Sequence, residues 1–270
     1  MLLSEVGYAR PATLEQALGV LAEHPGARAL AGGQTLINVM KARAAAPDVL
    51  VDLAGLPELR GIELHSDGEL EVGPMTTYSE LIASSEARAR PILGEVCAQI
   101  ADVQVRNRGT IGGNVCSSDP TNHLLPLLVA VGAQLTVAAT GGERVVPAKE
   151  FFLGVYLTAV GPGELLTKIT IPPGRSDGFS SVTIGRDGTC IVNAAASANG
   201  RSLCVVLGCV DATPVVVEPA SADAEAVRGA VREAGFEPPS DVHASSAYRR
   251  QLAEVVAARA VAQAAERAAA

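Results

Sequence analysis

The sequence predicts an α+β protein built from three consecutive units, and three observations carry that reading. A strand–loop–helix–strand pattern fills the first unit, residues 1–55. Glycine-turned hairpins at Gly141-Gly142 and Asn199-Gly200 bring antiparallel sheet into the units 56–173 and 174–270. Helical spacing returns at the end, over Asp223 to Ala234 and Ser246 to Ala268. The chain has 270 residues, 48% of them hydrophobic, enough for a sizeable core.

The elements follow in order. Thr13 and Gln16 fit a capping box, and Leu14, Ala17, Leu18 and Leu21 continue at helical spacing until Pro25 and Gly26. ARALA, residues 27–31, reads as a strand ending at Gly32-Gly33, followed by a helix through Ile37, Met40 and Lys41. DVLVDL, 48–53, is the next strand. In the second unit, residues 69–72 read as a strand, Thr77 opens a helix through Leu81, and Ile92 to Ala101 forms another. A glycine-rich loop then precedes an apolar helix from Leu124 to Val131. The segments QLTVAA and ERVV flank a turn, and LLTKITI, 165–171, is a strand closed by Pro172-Pro173. Residues 172–178, PPGRSDG, read as a linker. TCIVNAAASA and RSLCVVLGCV then form a hairpin ahead of the two last helices.

Composition excludes several functions. The formal net charge is -8, which argues against a broad nucleic-acid surface. Aromatic residues are 3% and Trp is absent, so base-stacking platforms are not expected. A bound flat ring would be covered by aliphatic side chains and backbone. The five cysteines form no CxxC pair, and the four histidines show no ligand spacing; neither a metal site nor a disulfide framework is expected. No apolar run approaches the roughly 18 residues of a membrane span, and the N-terminus shows no secretory pattern. A cytoplasmic protein is expected.

Two glycine segments stand out. One is LAGGQTL, from Leu30 to Leu36; the other is RNRGTIGGNVCSSDP, from Arg106 to Pro120. Glycine costs backbone entropy, so each needs either a tight turn or something close to the backbone. Both follow apolar segments and precede helices, so both can aim free N–H groups at an anion. Thr35, Thr110, Asn114 and Ser117 could add donors. Two such segments suit a ligand with two phosphates and a long body. Neither is GxGxxG, and neither is a P-loop, so a Rossmann site and an NTPase are disfavoured.

AGGQTL, 31–36, and TIGGN, 110–114, resemble the two flavin-binding motifs of the FAD-binding subunit of molybdenum hydroxylases, the family of xanthine dehydrogenase and aerobic carbon monoxide dehydrogenase. The resemblance extends over nearly the whole chain, from YARPATLEQALGVLAEHPGARALAGGQTLINVMK to AYRRQLAEVVAARAV. It implies an α+β, two-subdomain FAD-binding domain of the PCMH type, followed by a small C-terminal α+β domain with an antiparallel sheet. It implies that Ala31, Gly32, Gly33, Gln34, Thr35, Leu36, Thr110, Ile111, Gly112, Gly113 and Asn114 wrap FAD. The implied role is electron transfer from an iron–sulfur small subunit, through FAD, to an external acceptor. The substrate itself is implied to be hydroxylated at molybdopterin in a separate large subunit, which supplies the electrons. The [2Fe-2S] clusters and molybdopterin are expected only in those partners, in a dimer of heterotrimers, with no nucleic acid or membrane partner.

This chain departs from the family pattern twice. His123 stands where members carry an acidic residue that reaches FAD, with Asp119 out of register. GFSSVTIGR lacks a lysine that members often place near the flavin; Ser181 or Val182 stands there, and Arg186 matches a following arginine. His123 is counted with the cofactor-binding residues. Cys116 lies beside the second segment, Arg106 and Arg108 are candidates to neutralise phosphate, and Tyr248-Arg249-Arg250 reads as packing and surface charge. Two alternatives stay open: a stand-alone FAD-dependent oxidoreductase of a small molecule, and an FAD-free scaffold.

Overall fold

Thr13 has extended backbone and its side chain accepts from the Gln16 N–H, which starts the first helix where the sequence places it. The reciprocal bond runs one residue early: Gln16 Oε1 accepts from the Ala12 N–H at 2.9 Å. The structure, a computed structural model, describes residues 3–174, 176–185, 188–199 and 202–269. Arg186 and Gly200 lie outside the described residues.

The first unit holds β1 (Gly7–Ala9), α1 (Leu14–Glu23), β2 (Arg28–Leu30), α2 (Leu36–Lys41) and β3 (Val49–Asp52). Its three strands form a parallel sheet in the order β1-β3-β2. Ala17, Leu18 and Leu21 of α1 bury against Val51, and Leu56, Leu59, Met75, Ala138 and Leu165 extend that core into the second unit.

The second unit contains β4 (Ile62–Leu64), β5 (Leu70–Val72), α3 (Tyr78–Ala83), α4 (Ile92–Cys97), α5 (Val103–Arg108), α6 (Ile111–Ser117) and α7 (Leu124–Ala130). It continues with β6 (Gln134–Ala139), β7 (Gly142–Pro147), α8 (Ala148–Phe151), β8 (Phe152–Gly154), β9 (Leu157–Thr158) and β10 (Leu165–Ile171). Five strands form an antiparallel sheet in the order β4-β5-β10-β6-β7. Thr77 caps α3 with a full capping box to Glu80. The β6–β7 turn falls one residue before the expected place, because Ala139 pairs with Gly142. The β8–β9 hairpin leaves Leu153, Val155, Tyr156 and Leu157 exposed.

Three expectations need correction here. The helix from Ile92 stops at Cys97 rather than Ala101, and Ala101 takes a left-handed φ of 43°. The second glycine segment is mostly helix, split between α5 and α6, with Gly109 and Thr110 between them. The 172–178 linker is shorter than expected, since β11 already begins at Asp177. Gly178 is then fixed by packing: a Cβ there would lie 1.9 Å from the Ala260 carbonyl oxygen.

The third unit comprises β11 (Asp177–Thr183), β12 (Cys190–Asn199), β13 (Ser202–Gly208), β14 (Val215–Val217), α9 (Ala224–Glu233) and α10 (Ser246–Ala269). The strands run antiparallel in sequence order, and Asn199 pairs with Ser202 at the hairpin end. Ala253, Val256, Ala257, Ala260, Val261 and Ala264 of α10 bury against this sheet. The other side of the sheet meets the second unit, where Phe179, Ala195 and Val206 join the core containing α7.

A buried arginine ties the two units together. Arg90 Nε and Nη2 donate to the two Asp177 carboxylate oxygens at 2.8 and 2.9 Å. Arg90 also donates to the Pro172 carbonyl and to Ser197 Oγ. The two side chains are 5% and 1% exposed, so this is an ion pair without solvent screening. Arg249, expected among surface charges, is also buried. It donates to Asp241 Oδ2 at 2.6 Å and to the Ile191 carbonyl at 2.5 Å. Arg250 lies over the Phe236 ring, and Tyr248 is exposed.

Candidate cofactor site

The first glycine segment leaves β2 at the carboxyl end of a parallel sheet, the edge where open α/β sheets bind ligands. Gly33 has φ 72°, a left-handed conformation that glycine adopts at little cost. The turn is braced from within: Gln34 Nε2 donates to the Gly32 carbonyl at 3.2 Å, and Asn38 Nδ2 donates to the Gln34 carbonyl at 2.7 Å. Among the described residues, the N–H groups of Gly32, Gly33, Gln34 and Thr35 donate to no protein acceptor. Thr35 is exposed and its hydroxyl makes no cap bond. This is a row of open backbone donors, as an anion requires.

The second segment is built differently. Thr110 caps α6 by accepting from the Gly113 N–H at 3.1 Å. The Ile111 N–H donates to the Thr76 carbonyl, and the Gly112 N–H donates to the Pro74 carbonyl at 2.8 Å. The expectation of free N–H groups here is therefore overturned for Ile111, Gly112 and Gly113; all three are spent inside the protein. Gly112 is required by packing, because a Cβ would meet Pro74 Cβ at 2.3 Å. Gly109 likewise presses on the Tyr78 ring, at 2.7 Å from a built Cβ.

The two segments meet. A Cβ on Gly32 would lie 2.1 Å from the Arg108 carbonyl oxygen, so the first turn rests directly on the peptide between α5 and α6. A Cβ on Gly113 would lie 3.6 Å from Ala31 Cβ. Ala31 to Thr35 and Arg108 to Gly113 thus make one surface, with open donors on one strip and a packed helix start on the other.

Asn114 is buried, and its Oδ1 has no hydrogen-bond partner. Its amide also touches the Tyr78 hydroxyl, whose pKa burial raises well above the ordinary value while the Asn114 bond opposes that rise. Asn122 Nδ2 donates to the Asn114 carbonyl at 3.4 Å and to Ser117 Oγ at 3.2 Å, which anchors the 119–122 turn to α6. His123 follows at the start of α7, 7% exposed, with its ring 5.3 Å from Phe179. Its Nε2 also lacks a partner. Burial lowers its pKa from 6.5 to about 4, partly offset by a bond with the Thr121 backbone, so the imidazole is neutral at pH 7. A depressed histidine pKa means that the unfolded chain binds the extra proton between these two values. Stability is then full above about pH 6.5 and falls towards pH 4, by about 3 kcal/mol for this group. Urea titrations at graded pH should show that loss, and His123→Leu should flatten it over this range.

Cys116 is exposed on α6, and the density of protein around it pushes its thiol up to about 12. Arg106 is not free for phosphate: it donates to the carbonyls of Ile100 and Ala101, at 2.9 and 2.5 Å. Ser181, at the place of the missing lysine, donates to Gln99 Oε1 at 3.4 Å. Sequence reasoning missed Tyr78 and Asn122; no spacing signal links either to Asn114. Among the described residues no cluster of metal-ligating side chains occurs, and no helix is long and apolar enough to cross a membrane.

A turn of open donors at the end of a parallel sheet, backed by a glycine-rich helix start in an antiparallel unit, defines a dinucleotide-cofactor binding domain outside the Rossmann and P-loop classes. The chain belongs to the family described as the FAD binding domain in molybdopterin dehydrogenase, whose model matches residues 4–174. It is 36% identical to the carbon monoxide dehydrogenase medium chain of Afipia carboxidovorans, with 99% of each chain covered. It is 34% identical to the xanthine dehydrogenase FAD-binding subunit of Escherichia coli O157:H7, over 62% of this chain and 57% of the other. A solved structure of carbon monoxide dehydrogenase from Hydrogenophaga pseudoflava lacking the Mo-pyranopterin moiety superposes with a TM-score of 0.93 at 32% identity, over 99% of both chains. The protein is a flavoprotein subunit of an oxidoreductase, and FAD is its cofactor.

Proposed function

We propose that this chain is the electron-transfer subunit of a molybdenum hydroxylase complex, taking electrons from an iron–sulfur small subunit into FAD and passing them to an external acceptor. The observation that carries the reading is the seating of the Gly32 turn on the Arg108–Gly109 peptide, which leaves four consecutive N–H groups open. Those donors, at Gly32, Gly33, Gln34 and Thr35, suit the FAD diphosphate. Ala31, Leu36, Thr110, Ile111, Gly112 and Gly113 shape the surface they stand on. Asn114 Oδ1 and His123 Nε2 are buried acceptors without protein donors, and they suit polar groups of the cofactor. A bound flavin would take up electrons one at a time from an iron–sulfur donor and hold two for an acceptor. The protein's part is to hold it, keep the His123 side neutral and exclude water. The medium-chain relatives support molybdopterin and iron–sulfur partners for this chain as well, and a dimer of heterotrimers in a cytoplasmic location is part of the same proposal.

Denatured holoprotein should release unmodified FAD into the supernatant. A colourless chain that cannot be reconstituted with FAD would defeat the proposal. Mixing supplies the second test. Alone, the chain's FAD should be reduced very slowly by any hydroxylase substrate, and rapidly once both partners are added. Efficient turnover by the isolated chain would favour a stand-alone enzyme instead.

A further inference from the structure

We propose that Cys190 and Cys209 form a dithiol–disulfide couple, a two-electron redox site inside the C-terminal sheet. Cys190 opens β12 and Cys209 directly follows β13, and these strands are antiparallel neighbours with Asn193 opposite Gly208. That register folds Cys209 back beside the start of β12. Asn193 Nδ2 lies 3.4 Å from Cys190 Sγ and 3.5 Å from Cys209 Sγ, so one amide group donates to both sulfurs. The two thiols also touch each other. Both residues are buried, at 2% and 5% exposure. Cys209 is held at φ 65°, which L side chains rarely adopt, while the buried Arg249 donates to its carbonyl at 3.5 Å.

The remaining cysteines do not compete. Cys97 is in the core of the second unit, Cys116 is exposed on α6, and Cys204 is half-buried on β13. Among the described residues no other pair of cysteine sulfurs shares a donor. Contact with Cys190, then burial, raises Cys209 well above the ordinary thiol range, with Arg249 opposing. The Cys209 thiolate is therefore scarce and exchange through it is slow, so the couple is read at equilibrium. A small-molecule disulfide serves as oxidant. Its S–S bond breaks and takes the two electrons and two protons that the thiols give up, while the Cys190–Cys209 S–S bond forms. The new bond closes β12 onto the end of β13. It lies next to the Asn193 amide, which also reaches the Asn122 carbonyl at 3.4 Å, so the cross-link bears on the turn that carries His123.

The test equilibrates the full chain without oxygen across graded ratios of oxidised to reduced glutathione, followed by acid quench, alkylation in denaturant and peptide mapping. The expected result is one cross-linked Cys190–Cys209 peptide and two fewer alkylated thiols, both reversed by dithiothreitol. Tm should rise by about 5 °C on oxidation. Cys190→Ser should abolish the cross-link, and Cys204→Ser should keep it. If Cys190→Ser does not fold, the wild-type peptide map alone decides. All five thiols alkylated at every ratio, or a cross-link through Cys204 or Cys116, would overturn the proposal and leave the pair as packing.

Discussion

Replacing Arg90 with alanine should cost about 3–5 kcal/mol, the largest single loss expected outside the deep apolar core. The change strands the Asp177 carboxylate, 1% exposed, without the guanidinium that now meets both its oxygens. Urea unfolding of the full chain at pH 7 measures it. The double variant Arg90→Leu/Asp177→Leu should lose less than either single, because removing both charges removes the desolvation penalty along with the attraction. A double-variant loss equal to the sum of the two single losses would mean that the pair is not coupled. A single variant within 1 kcal/mol of wild type would mean that the ion pair does not clamp the units.

Gly32→Val should weaken FAD binding by at least about 100-fold, some 3 kcal/mol. The obstacle is backbone: the new Cβ would sit 2.1 Å from the Arg108 carbonyl oxygen, so the first turn must lift off the second segment. Gly33→Val should act alongside it by a different route, since φ 72° disfavours a β-branched residue and changes the aim of the N–H groups. Gly19→Val is the control, because nothing lies within 4 Å of a Cβ there. Fluorescence titration with FAD reads all three, and circular dichroism reports whether the fold survives. Normal affinity in both loop variants would reduce the first glycine segment to a structural turn.

Local pattern made much of this fold legible. LLTKITI coincides with β10, and the helices over Leu14, Leu124, Asp223 and Ser246 begin within a residue of their observed starts. Each has a periodic apolar face or a capping residue, signals carried by neighbours in sequence. The 103–117 region failed for the converse reason. Glycine at 109, 112 and 113 reads as loop by propensity, but Pro74, Tyr78 and Thr76 press on it from outside and reward a helix that has no side chains there. The glycine pair of the first segment was legible, whereas its open donors, and the closed ones of the second, depend on partners brought in by the fold. Arg90 and Asp177 lie 87 residues apart, so neither shows a partner in the sequence. The β8–β9 hairpin escaped notice because its apolar residues stay exposed instead of alternating into a core.

The shared core between the second and third units bears on how the gene can be cut. The family match ends at residue 174, which invites expression of that segment as an independent module. Phe179, Ala195 and Val206 nevertheless complete the apolar interior around α7, and Asp177 holds the only carboxylate that Arg90 meets among the described residues. A chain stopped at 174 would expose that interior to water and leave a guanidinium facing an open seam. The segment that the family match covers is thus smaller than the segment whose core is complete, and attempts at grafting, gene fusion or split-protein complementation should keep residue 174 joined to β11 and the rest of the C-terminal sheet.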